Sequence, residues 1–90
     1  ESVDDPSTRG RYACMLDYRR VLAENLKAAR KALDLSQEEL ALEADIDRTY
    51  VSGIERGTRN PSLTMIAKLA ERLKTTPAAL LTPSDYPPAA

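Results

Sequence analysis

Ninety residues without a single His, Trp or Phe, and with one Cys, narrow the possible functions considerably. That length supports one hydrophobic core; the missing histidine removes the commonest general base and metal ligand, and Cys14 alone forms neither an internal disulfide nor a multi-thiolate metal site. The net charge of −1 neither demands nor forbids a polyanionic partner. With no apolar run of about 18 residues and a polar opening stretch, ESVDDPSTRGRYACM, unlike a signal peptide, the expectation is a cytoplasmic, non-enzymatic protein that needs no membrane, cofactor, metal or small-molecule ligand.

Residues 1–15 read as an N-terminal extension or as the start of a lengthened first helix, because Tyr12, Met15 and Tyr18 or Arg19 share helical spacing. The domain proper spans 16–81. Leu22, Leu26, Ala29 and Leu33 follow at spacings of four, three and four, the period of one buried helical face. Ser36 opens a second helix with Glu39 three residues on, a capping-box pattern, and turns Leu40, Ala41 and Ala44 inward. Asp47 caps a third helix that buries Val51 and Ile54 and stops at Gly57. Asn60-Pro61-Ser62 is loop and cap for a fourth helix carrying Leu63, Ile66, Leu69, Ala70 and Leu73 inward. Thr76-Pro77 opens a short fifth with Leu80 and Leu81. A proline-rich tail, 82–90, is expected to fray. The predicted fold class is all-α, five helices in one compact domain.

The second and third of these helices, residues 37–56, are joined by a three-residue turn and must cross steeply. A small residue, Ala41, is placed at their close approach, and Ile46, Val51 and Ile54 fill the angle. This is helix-turn-helix arithmetic, in which the second helix fits a DNA major groove. Acidic groups of the pair fall mainly on Glu38, Glu39, Glu43 and Asp47, whereas Arg48, Arg56 and Arg59 lie on or just past the third helix. The local face matters more for phosphate contact than the whole-chain sum. On that face Arg48 suits a bidentate guanine contact and Thr49 a thymine methyl or a phosphate. Ser52 and Arg56 follow on the same face, and Gly53, lacking a side chain, is expected to let the backbone come close to DNA. Gln37 adds its amide to the free N–H groups at a helix N-terminus, and Arg59 and Asn60 extend phosphate contacts past the helix end.

The stretches SQEELA (Ser36–Ala41), Ile46, YVSGIERG (Tyr50–Gly57), NPSL (Asn60–Leu63) and PAALL (Pro77–Leu81) resemble the phage repressor and Cro-type (xenobiotic response element) helix-turn-helix family. Within it, DRTYVSGIERGTRN is similar to the controller proteins of restriction–modification systems. The resemblance implies a lambda-repressor-like five-helix domain that regulates transcription, binding double-stranded DNA at an inverted repeat as a homodimer. It also implies that Gln37, Arg48, Thr49, Gly53 and Arg56 face DNA, that Tyr50 lies at the phosphate edge, and that the fifth helix, with Leu80 and Leu81, contributes to the dimer. For Tyr50 a core position serves the spacing equally well. Where the family pattern places glycine after three helices, this chain has Asp34, Asp45 and Lys74, which is expected to bring either local left-handed strain, on the order of 1 kcal/mol at the lysine, or slightly altered turns. The N-terminal stretch stays open between a dimer contact through Tyr12 and Met15, a basic Arg9-Gly10-Arg11 arm reaching the minor groove, and an unstructured tail. A second class of reading is an antitoxin or protein-interaction module, resting on the apolar residues outside the core, Leu42, Met15 and Tyr12.

Overall fold

Five short polar side chains, Asp17, Ser36, Asp47, Ser62 and Thr76, each accept a hydrogen bond from a backbone N–H two or three residues on. Each opens a helix, because the first-turn N–H groups have no intrahelical partner and a nearby oxygen satisfies one of them. The computed structural model describes residues 17–84, with α1 (Tyr18–Ala32), α2 (Gln37–Ala44), α3 (Arg48–Glu55), α4 (Leu63–Arg72) and α5 (Pro77–Leu80) and no strand among the described residues. At α2 the capping box is complete: Ser36 Oγ accepts from the Glu39 N–H at 3.0 Å, and Glu39 Oε1 accepts from the Ser36 N–H at 2.8 Å. At α1, Asp17 is extended and its carboxylate accepts from the Arg19 N–H, capping a helix that starts at Tyr18. Tyr12, Met15 and the basic arm lie outside the described residues.

Four helices end alike. After α1, α2, α3 and α4 one residue adopts a left-handed conformation, Asp34 (φ 59°), Asp45 (φ 58°), Gly57 (φ 77°) and Lys74 (φ 60°). The next N–H then reaches back five residues: Leu35 to Arg30, Ile46 to Ala41, Thr58 to Gly53 and Thr75 to Ala70, at 2.9–3.0 Å. These are Schellman caps, which satisfy otherwise orphaned carbonyls. Only the third uses glycine. Lysine has no short polar side chain to relieve the left-handed strain, so Lys74→Gly is expected to stabilise the domain by about 1 kcal/mol. Thermal unfolding should show this as a rise in Tm of roughly 4–8 °C.

The core joins Leu22 and Leu26 of α1, Leu40, Ala41 and Ala44 of α2, Val51 and Ile54 of α3, Ile66, Leu69 and Ala70 of α4, then Leu73 and Leu80. α1 lies against α3 and α5, and α2 against α3 and α4. Side chains brace the ends of these elements. Asn25 Nδ2 donates to the Leu80 and Thr82 carbonyls at 2.9 and 2.8 Å, tying α5 to α1, and Arg72 Nε donates to the Glu43 carbonyl at 2.7 Å, holding the end of α2.

Two positions depart from the apolar stripes, and a third from its expected place at a dimer surface. Leu33 lies past the end of α1 and is exposed, since the left-handed Asp34 swings the chain so that Leu35 packs on the core instead. Leu63, expected inward, is 76 % exposed because it is the first residue of α4, ahead of the turn that meets the core. Leu80, expected at a dimer surface, is 2 % exposed and belongs to the core of the domain. Leu81 is half-buried.

Candidate nucleic-acid interface

α2 and α3 are joined by Asp45, Ile46 and Asp47. The left-handed Asp45 reverses the chain, Ile46 packs on the core, and Asp47 caps α3 by accepting from the Thr49 N–H at 3.1 Å. That hydrogen bond is the first reason the Asp47 carboxyl titrates below its ordinary range, and the neighbouring Arg48 and Arg59 add to it. With Val51 and Ile54 fully buried beneath it, α3 keeps one orientation and displays its other side. Arg48 and Thr49 are exposed on the first turn, Ser52 is half-buried one turn on, and Arg56 is exposed just past the helix end, where its Nη1 donates to Ser52 Oγ. Guanidinium, hydroxyl and methyl groups on one face are the groups that read groove edges and bind phosphate.

Two residues differ from their expected setting. Gly53 does not offer open backbone to a ligand; it is buried under the side chain of Arg59, whose Cγ would lie 2.6 Å from a Cβ at this position. The same guanidinium lies over the Tyr50 ring, 5.4 Å from its centroid, a cation–π arrangement. The gap left by the missing side chain on α3 is thus filled from the loop that follows. Tyr50 is both: half-buried against the core and a platform for Arg59. Asn60 is exposed in that loop. Gly53→Ala is therefore expected to leave the fold as stable as before or up to about 1 kcal/mol more so, from helix propensity. It should displace Arg59, which would be read as the loss of its cross-peaks with the Tyr50 ring.

Gln37 also has a partner that its position on α2 did not suggest. Its Nε2 donates to Glu55 Oε1 at 3.0 Å. Glu55, the last residue of α3, is paired with Arg30 of α1: Arg30 Nε lies 2.6 Å from Glu55 Oε2 and Arg30 Nη2 3.0 Å from Oε1, while Arg30 Nη1 donates to the Leu35 carbonyl at 2.6 Å. The two side chains are 9 % and 4 % exposed. Burial pushes the Glu55 carboxyl up and is the largest single influence, but hydrogen bonds from Arg30 and Gln37 and the attraction of Arg30 and Lys27 together outweigh it, so it titrates below its ordinary value. Arg30 and Glu55 were not among the expected site residues. A signal was present, because Arg30 falls four residues after Leu26 and Glu55 four after Val51, on buried stripes where a charge needs a partner.

Tyr18, Leu63, Pro61, Ile66 and Leu81 line an apolar groove beside Arg19 and Asn60. Tyr18 is 51 % and Leu63 76 % exposed there, and Leu81, expected at a dimer surface, lines the same groove.

The crossed pair, its three-residue turn and the exposed arginine-bearing face define a helix-turn-helix domain. The sequence profile of the helix-turn-helix family matches residues 26–80, and the chain belongs to that family. Among its relatives, control protein C.SmaI of Serratia marcescens is 41 % identical over 69 residues, covering 77 % of this chain and 82 % of that one. Among solved structures, the hypothetical transcription factor NHTF from Neisseria superposes with a TM-score of 0.73 at 43 % identity, covering 74 % of this chain and 77 % of that one. The restriction–modification controller protein C.AhdI from Aeromonas hydrophila gives 0.66 at 45 % identity, covering 69 % and 94 %.

Proposed function

We propose that this protein is a sequence-specific, DNA-binding transcription regulator that binds an inverted repeat as a homodimer. The observation that carries the reading is the α3 face, where Arg48, Thr49, Ser52 and Arg56 stand on a helix whose reverse side is fully buried. Arg48 and Thr49 contact bases. Gln37, Tyr50, Ser52, Arg56, Arg59 and Asn60 hold the duplex backbone, and Gly53 serves by admitting Arg59. The names of its relatives, control proteins and a transcription factor, support the regulatory part. The exposed apolar groove at Tyr18, Leu63 and Leu81 supports the dimer by offering a seat for a second copy of the chain, and such a dimer would place two α3 helices about one helical turn apart, ~34 Å.

Selection of binding sites from a random duplex pool at two salt concentrations tests this. The expected outcome is an enriched inverted repeat bound by two chains in sedimentation. Salt-sensitive binding without enrichment would reduce α3 to phosphate contacts. The exposed Leu42, 75 % accessible on the outer side of α2, supports a second reading as a protein-interaction module. A stable hetero-complex that forms without DNA and is lost in Leu42→Ser would favour it.

A further inference from the structure

We propose that Glu55 is a positioning residue for DNA binding, acting through the side-chain amide of Gln37. The inference rests on the reading that α2 and α3 lie against DNA. Gln37 is the first residue of α2, where the backbone N–H groups of Gln37 and Glu38 are left for an anion while that of Glu39 is taken by Ser36. An unrestrained glutamine there would turn its amide either way, because its oxygen and nitrogen ends are nearly the same shape. Glu55 removes that freedom. A carboxylate accepts hydrogen bonds and donates none, so the group facing it must be the Gln37 nitrogen, which lies 3.0 Å from Oε1. One N–H of that nitrogen, beside the free backbone donors, is left for a phosphate oxygen.

The carboxylate is itself immobile. Both its oxygens are held by Arg30, and Arg30 is fixed by the Leu35 carbonyl in the turn leading to α2. The same pairing cancels a negative charge that would otherwise oppose a phosphate at this end of α2. The network therefore joins the last turn of α1, the start of α2 and the last residue of α3, and it places the phosphate-facing amide in register with the α3 face. Gln37 is the only glutamine in the chain, so its side-chain signals are identified by type alone.

The test is a double-mutant cycle on affinity for the selected duplex, using wild type, Gln37→Ala, Glu55→Gln and the double variant. All four are compared at a temperature where circular dichroism shows each fully folded. A neutral amide at 55 keeps one accepting oxygen, so it loses one of the two Arg30 contacts whichever way it turns, and with its nitrogen toward Gln37 it meets the Gln37 oxygen, so it no longer dictates which end of Gln37 turns outward. Gln37→Ala and Glu55→Gln are each expected to weaken binding by roughly threefold to tenfold, the worth of one hydrogen bond, and the double no more than either. Losses that multiply in the double would overturn the positioning role, as would an unaltered affinity in Gln37→Ala. Absence of wild-type binding to any duplex would instead overturn the DNA reading on which it rests. Should Glu55→Gln fail to fold, nitrogen relaxation of the wild-type Gln37 amide decides the matter. Rigidity like that of the anchored Asn25 supports the proposal, and mobility like that of the exposed Asn60 overturns it.

Discussion

Replacing Arg30 by Ala is expected to lower the stability of the domain by about 3–5 kcal/mol, a large part of the roughly 5–15 kcal/mol a domain of this kind possesses. The loss is not the net worth of the ion pair. It is the penalty of leaving Glu55, 4 % exposed, with only Gln37 to satisfy it. Removing both charges separates the two quantities: Arg30→Met with Glu55→Leu should recover most of the loss, because a buried pair replaced by apolar side chains of similar size is often close to neutral. Urea unfolding of the single and double variants measures this. A double variant as unstable as Arg30→Ala would show that the Leu35 carbonyl, left without its Arg30 donor at 2.6 Å, dominates instead.

The same pair sets a pH dependence. Glu55, Asp17 and Asp47 all titrate below their ordinary values in the folded protein, Glu55 through Arg30 and Gln37 against the opposing effect of burial, the two aspartates first through the backbone N–H groups they cap. A carboxyl depressed by folding contributes stability that is fully present above its unfolded pKa and is lost as pH falls through its folded pKa. The urea midpoint is thus expected to be flat near neutrality and to fall as the pH drops through the ordinary carboxylate range and below it. In the double variant that fall should be shallower, since the contribution of Glu55 is gone and the exposed caps remain.

How far this architecture can be read from the sequence depends on the distance over which each feature is decided. The caps are local: Ser36 with Glu39, Asp47, and Thr76 before Pro77 announce helix starts within one turn, and all three do open helices. The family pattern marked Asp34, Asp45 and Lys74 as unusual helix ends but left strain and altered turns both open, and all three turn out to be left-handed. What was not legible lies between elements. Arg30 and Glu55 are 25 residues apart, and only the folded chain shows that two charges on buried stripes meet. Gly53 looked like room for DNA, yet the room is taken by Arg59, arriving from a loop whose path no periodicity describes. Stripe ends failed for the same reason. Leu33 and Leu63 keep the spacing of the helices they border, but they sit where the chain is turning and the core is no longer opposite. Leu80 and Leu81 are adjacent in sequence, and only the docking of α5 decides which of them is enclosed.

Arg48 decides whether the α3 face reads sequence or only holds a backbone. It is exposed on the first turn of α3, beyond the cap, whereas Arg56 is engaged with Ser52 and Arg59 lies across Gly53 and Tyr50. Arg48 can therefore enter a groove without giving up a contact within the protein, and a bidentate pairing to guanine O6 and N7 is the strongest use of a guanidinium there. Arg48→Ala is expected to weaken binding to the selected duplex by about 1–3 kcal/mol, with the loss confined to one base-pair position in each half-site. Binding to a scrambled duplex should hardly change, and the dependence on salt should keep its slope. Asn60 and Arg59 supply the contrast. Arg59→Ala should weaken all duplexes alike and make the slope of log affinity against log salt shallower by about 1, because one fewer phosphate is neutralised. The two signatures cannot be exchanged by a general loss of fold, which would lower the active fraction without altering either slope or base preference. If Arg48→Ala behaves as Arg59→Ala is expected to, α3 lies along the backbone, and specificity must come from Thr49, from Ser52 or from the shape of the duplex.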